Sequence, residues 1–146
     1  TNLKVNPPFR SESDIVALRA GLADGTIDVL VSDHQPQDEE SKQVEFDQAE
    51  FGISSLETTF ACARMYSSLS LGALVGKFTT EPRRILRMPA HRIEVGAVAS
   101  LTFFLPDQPW TLTRLSSASK NSPFLHKTLQ GKVAGVMNNG LFRWLE

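Results

Sequence analysis

The residues best placed for chemistry lie at 29–37, VLVSDHQPQ, where an apolar run ends abruptly in an acid, a histidine and a proline. A carboxylate at the end of a buried parallel strand can hold a metal ion or serve as a general base. The strand positions it rigidly, and the loop beyond leaves it accessible. Asp33 is that candidate. The competing role is a turn cap, since Asp side chains commonly accept hydrogen bonds from their own backbone two residues on. His34 points away from Asp33 on an extended chain and reads as a hydrogen-bonded support of the loop. His91 and His126 lie far along the chain without metal-ligand spacing to Asp33, and read as surface residues. There is no Gly-rich phosphate loop, no serine elbow and no Cys–His pairing. One acid cannot hold a catalytic metal alone, so a metal site at Asp33 needs ligands from outside these residues.

Asp33 requires an element to carry it. Residues 27–32, IDVLVS, form a short and nearly continuous apolar run, the pattern of a strand covered on both faces in a parallel sheet. Upstream, 2–10 is expected to be extended, because Asn6 and Pro7 each precede a proline. Ser11 with Asp14 makes a capping-box start. Ile15, Leu18 and Leu22 then mark one face of an amphipathic helix ending at Asp24-Gly25.

Residues 33–52 read as a long loop. Within it, 38–50 holds six acids against one lysine, the pattern of a solvated surface, although loops of this length often serve as lids or binding loops. A helix is expected from Ser54, with Leu56, Phe60 and Ala63 on one face. Ser70 caps the next, whose Leu71, Leu74, Val75 and Phe78 form a core stripe. Thr80 opens a third, short helix with Pro82 in its first turn and Pro89 as its stop; Arg83, Arg84 and Arg87 face solvent or carboxylates.

Beyond about residue 90 the pattern turns to strands. Residues 98–105 read as one, closed by Pro106-Asp107. Residues 132–138 and 141–145 flank Asn139-Gly140 as a hairpin, with Phe142 and Trp144 on one face of the last strand. The expected division is into β/α units over 1–90 and a small β subdomain over 91–146.

The bulk numbers bound the function. With 146 residues the chain can bury a sizeable core. Fifteen basic against sixteen acidic residues leave a net charge of −1, which argues against blanket neutralisation of nucleic-acid phosphates. The chain is 41% hydrophobic and 21% charged, which excludes disorder, and no apolar run approaches the roughly 20 residues that span a bilayer. The single Cys62 fits a reducing, cytoplasmic setting. The chain opens at Thr1 with no methionine or basic leader and reads as a piece of a longer protein.

Several segments together resemble one family. KVNPPFR at 4–10, DGTIDVLVSDHQP at 24–36, EFGISSLET at 50–58 and SKNSPF at 119–124 are similar to the C-terminal part of a dihydroorotase of the longer bacterial type, related to the dihydroorotase domain of multifunctional pyrimidine enzymes. IEVGAVASLTFF at 93–104 resembles the closing strand of the wider amidohydrolase superfamily. The resemblance implies an α/β fold: the C-terminal portion of a metal-dependent (β/α)8 barrel plus a small β subdomain. It further implies reversible conversion of N-carbamoyl-L-aspartate to dihydroorotate in pyrimidine synthesis, with Zn2+ as cofactor and a homodimeric assembly. In the family pattern the acid after the eighth strand binds metal and shuttles the proton, and that position is Asp33. The asparagine before Pro-Pro contacts substrate, here Asn6. A Phe-Gly pair lines the site through its backbone, here Phe51 and Gly52.

The sequence also departs from that pattern. The family usually has a histidine four residues after the acid, holding the substrate carboxylate; here it is Gln37, and Gln35 stands where alanine is common. Replacing a charged or strongly oriented donor to a carboxylate should cost about 1.5–3 kcal/mol. The family's remaining metal ligands lie upstream of these residues, so the 146 residues alone are expected to be inactive, to bind no metal tightly and to associate through apolar flanks. The alternative is a catalytically silent dihydroorotase-like subunit that partners aspartate transcarbamoylase, and Gln37 is the kind of loss such relatives show.

Overall fold

The computed structural model describes residues 1–145, and these form four helices followed by a three-stranded antiparallel sheet. Helix α1 (Glu12–Asp24) starts with the capping box: Ser11 Oγ accepts from the Asp14 N–H, and the Asp14 carboxylate accepts from the Ser11 N–H at 3.0 Å. Gly25 ends it at φ 88°, a left-handed cap free of any Cβ penalty. The amphipathic face is not covered, however. Ile15 and Leu18 are exposed, and no residue of α1 is buried, because no second layer lies against that face among the described residues.

Residues 27–32 depart from the expected strand. They make no ladder, and pairing at this point of the chain is one isolated parallel bridge between His34 and Ile53. Their polar groups are met from elsewhere. The Leu30 N–H donates to Lys77 O at 3.1 Å, Lys77 Nζ donates to Ile27 O, and Ser55 Oγ donates to Ser32 O at 2.6 Å. A strand of a parallel sheet needs hydrogen-bonding neighbours along its edges. Among the described residues the apolar run pairs with no strand, and Val31 lies open.

Helix α2 (Thr59–Tyr66) begins later than the expected Ser54, since residues 54–58 are held in a turn by the His34 ring. Leu56 is therefore off the helix and exposed. Helices α3 (Leu71–Phe78) and α4 (Thr80–Ile85) follow the expected spacing. Ser70 Oγ accepts from the Ala73 N–H, Leu74 is fully buried, and Leu71 at the rim stays partly open. Arg84 pairs with Glu81 at 2.8 Å and with Asp28 at 3.0 Å, tying α4 to the 27–32 segment.

Strand β1 (Ser100–Thr111) does not stop at Pro106-Asp107. The register shifts between Leu105 and Pro109, so Pro106 falls in a bulge where its missing N–H costs no ladder bond, and Pro109–Thr111 re-pair beyond it. Strand β2 (Thr128–Asn138) is correspondingly longer than 132–138. Asn139 and Gly140, at φ 48° and 80°, turn the chain into β3 (Leu141–Trp144). Phe142 and Trp144 meet edge to face at 4.7 Å beside Phe103. They close over Gly135, where a Cβ would lie 2.9 Å from Trp144 Cε3. Phe60 of α2 meets Phe104 of β1 at 4.7 Å and joins the helices to the sheet, with Ala61, Leu74, Leu112 and Leu129 buried around that seam. No helix among the described residues is long and apolar enough to cross a membrane.

Candidate functional site

Asp33 stands where the 27–32 segment ends, at φ 44°, a left-handed conformation uncommon outside glycine, asparagine and aspartate. Its carboxylate is exposed, and Oδ1 accepts from Gln35 Nε2 at 2.9 Å. That partner is a side chain and not the backbone two residues on, so Asp33 does not form the Asx turn that competed with a chemical role. His34 turns the other way. Its Nδ1 accepts from the Ser55 N–H at 3.1 Å and the Leu56 N–H at 3.2 Å, so that nitrogen carries no proton and the ring is the loop support expected of it.

Gln37 is fixed at both ends. Its N–H donates to Asn121 Oδ1 at 3.2 Å, and its Nε2 donates to Phe51 O at 2.9 Å. The Gly52 N–H donates to Lys4 O at 2.9 Å, while Gly52 O accepts from Lys42 Nζ and Asn121 Nδ2 at 3.1 and 3.2 Å. Residues 35–37 and 51–53 thus run side by side, joined also by the Gln35 N–H to Ile53 O at 3.0 Å. The approach demands glycine at 52. At φ 128° a Cβ there would lie 2.6 Å from Gln35 Cβ and 2.7 Å from Gln35 O.

Gln35 links Asp33 to the 51–53 segment through Ile53, and Gln37 meets Phe51 directly, beside Gly52. Asn6 is not joined to them by a hydrogen bond among the described residues; the nearest link is through Lys4, whose carbonyl meets Gly52 and whose Nζ lies 4.8 Å from the Phe51 ring centroid. His91 and His126 are exposed and take no part.

Three residues of the site carry no role from sequence reasoning. Gln35 is the partner of Asp33. Lys42, the one base of the acidic stretch, turns inward and donates to Glu50 O at 2.6 Å and to Gly52 O. Burial, then the like charge of Lys4, holds its pKa below the usual lysine value. Asn121 is buried and satisfies groups on both segments. The signal for Lys42 was its isolation among acids; Asn121 sits among small polar residues that read as loop.

Among the described residues, no three His, Cys, Asp or Glu side chains converge. These residues do not by themselves fit a metal centre, and Asp33 offers a single donor. Burial pushes the Cys62 thiol up to about 11, which works against the thiolate form.

No protein-family model matches the chain. It is 41% identical to a dihydroorotase of Syntrophus aciditrophicus over 145 residues, which cover 96% of this chain and 34% of that protein. Among solved structures, a D-hydantoinase (dihydropyrimidinase) from Thermus sp. superposes at a TM-score of 0.83 and 22% identity, over 99% of this chain and 35% of its own. The inactive dihydroorotase-like domain of a Chaetomium thermophilum CAD-like multifunctional protein does so at 0.58 and 19% identity, over 92% of this chain and 36% of its own. The fold is that of the amidohydrolases, and the chain spans about a third of the length of the curated relatives it matches. Over nearly its whole length the chain is similar to the C-terminal third of curated dihydroorotases.

Proposed function

We propose that the whole protein is a dihydroorotase, a cyclic amidohydrolase interconverting dihydroorotate and N-carbamoyl-L-aspartate in the cytoplasm, and that residues 1–90 and 91–146 are its last barrel units and its C-terminal β subdomain. The observation that carries this reading is Asp33: an exposed carboxylate at a left-handed segment end, steadied on Oδ1 by Gln35 with no hydrogen bond to Oδ2 among the described residues. Such a group can collect a proton from attacking water and deliver it to the ring nitrogen as the amide C–N bond breaks. Asn6 and Gln37 face the substrate in this reading, and the backbone of Phe51 and Gly52 lines it. Zn2+ is the proposed cofactor, with Asp33 as its one donor from these residues, and the proposed assembly is a homodimer.

Gln37 favours a second reading. Its amide is engaged by Phe51 O, at the position where the family's histidine holds the substrate. A silent subunit that partners aspartate transcarbamoylase would tolerate that loss. The deciding experiment is dihydroorotate hydrolysis by the zinc-loaded full-length protein beside Asp33→Asn. Turnover that disappears in the variant supports the enzyme. A folded protein without turnover sinks it, and co-sedimentation with the transcarbamoylase then tests the scaffold.

A further inference from the structure

We propose that Asn121, on the segment between β1 and β2, is a positioning residue for the Asp33 site. Its buried amide sets the spacing between residues 35–37 and 52–54. The side chain has two N–H donors and an oxygen with two lone pairs, and all four are used. Nδ2 donates to Gln35 O at 3.1 Å and to Gly52 O at 3.2 Å. Oδ1 accepts from the Gln37 N–H at 3.2 Å and from Ser54 Oγ at 2.7 Å. Its own carbonyl accepts from the Ser54 N–H at 2.9 Å, and the residue is only 4% exposed.

Directly, the two segments are joined by the Gln35 N–H to Ile53 O and by Gln37 Nε2 to Phe51 O. One parallel bridge, His34 to Ile53, joins them as backbone, and the 27–32 run that leads into them has no ladder. Asn121 reaches both from more than sixty residues away, gripping each by main-chain groups that any side chain would present. The effect passes to Asp33 through residue 35. The carbonyl of Gln35 is held by Asn121, while its side-chain amide holds Asp33 Oδ1. It passes to Phe51 through residue 37, whose N–H is held by Asn121 and whose amide meets Phe51 O. Aspartate cannot replace it, because an ionised carboxylate has no donor for the two carbonyls and would be a buried charge. Serine is too short to span them.

The activity readout rests on the dihydroorotase reading, whereas an exchange readout is independent of it. In the full-length protein, Asn121→Asp and Asn121→Ser are compared with Glu57→Ala. Glu57 accepts from the Ser116 and Ser117 N–H groups and fastens the same segment at another point. At a temperature where all variants stay folded, kcat for dihydroorotate should fall on the order of tenfold or more in both Asn121 variants and stay within about twofold in Glu57→Ala. Amide exchange over 35–37 and 52–54 should accelerate by a similar factor in the Asn121 variants while α3 keeps its protection. An unchanged kcat in Asn121→Asp overturns the proposal, as does exchange that rises equally across α3. Should the wild-type protein hydrolyse no dihydroorotate, the proposed reaction fails, and the exchange pattern alone decides the role of Asn121.

Discussion

Gln35 Nε2 donates to Asp33 Oδ1 at 2.9 Å, so the exposed carboxylate is steadied by the residue two positions along the same chain. The left-handed backbone at Asp33, φ 44°, brings the two side chains within hydrogen-bonding reach. Position 35 is thus tied to the orientation of the acid by its side chain and to Asn121 by its carbonyl.

Gln35→Ala removes that hydrogen bond without touching the backbone contacts. Both side chains are accessible, so stability should change by less than about 1 kcal/mol. Turnover of the full-length protein should nevertheless drop several-fold, through kcat more than KM, because the acid loses its orientation. Urea unfolding and steady-state kinetics check this together. A change in stability with no change in kcat would count against the role given to Gln35.

Gly52→Ala should damage the fold at the site. The added Cβ meets Gln35 Cβ at 2.6 Å and Gln35 O at 2.7 Å, and φ 128° is strained for any L side chain. Overpacking and backbone strain each cost about 1–3 kcal/mol. Denaturation should register a loss of about 2 kcal/mol or more. A loss below 1 kcal/mol would mean that segments 35–37 and 51–53 separate easily.

Gln37→His restores the residue that the family pattern carries. Under the dihydroorotase reading it adds an oriented donor toward the substrate carboxylate, and KM should fall on the order of tenfold. The imidazole must give up the Gln37–Phe51 hydrogen bond to do so, and a small loss of stability accompanies it. An unchanged KM in an active protein would place the substrate carboxylate elsewhere.

The start of α1 should respond to acid. The Ser11 hydroxyl, and then the Ser11 N–H, hold the Asp14 carboxyl below its unfolded value of 3.8. A depressed carboxylate contributes stability that is present in full above the unfolded pKa and is lost as pH falls through the folded one. Asp24 and Asp38 are lowered by the same kind of local hydrogen bond, so a single-site variant is needed to isolate Asp14. Far-ultraviolet circular dichroism of wild type and Asp14→Ala should differ near neutrality and converge as pH falls through the depressed folded value. An equal gap at pH 2 and pH 7 would sink this assignment.

Local chemistry alone marked several features: the Ser11–Asp14 box, the Gly25 cap, Ser70 before α3 and the Asn139-Gly140 turn. Each depends on groups within a few residues, so the chain carries the information in one place. Asp33 stood out in the same way, as an acid ending an apolar run. The failures share a cause too. The 27–32 run has the composition of a buried strand, but a strand exists only with partners. Helix α2 starts late because a histidine more than twenty residues upstream caps the turn before it.

Sequence by itself determined the order of the helices, the hairpin, the acid at position 33 and the kinship that its segments display. Tertiary structure decided what surrounds that acid. Gln35 turns to Asp33, Gln37 to Phe51, Lys42 inward to Gly52, and Asn121 into the seam between two distant segments. None of these choices is local. A buried polar group must find partners wherever the fold presents them, and only the assembled backbone specifies which carbonyls and N–H groups those are.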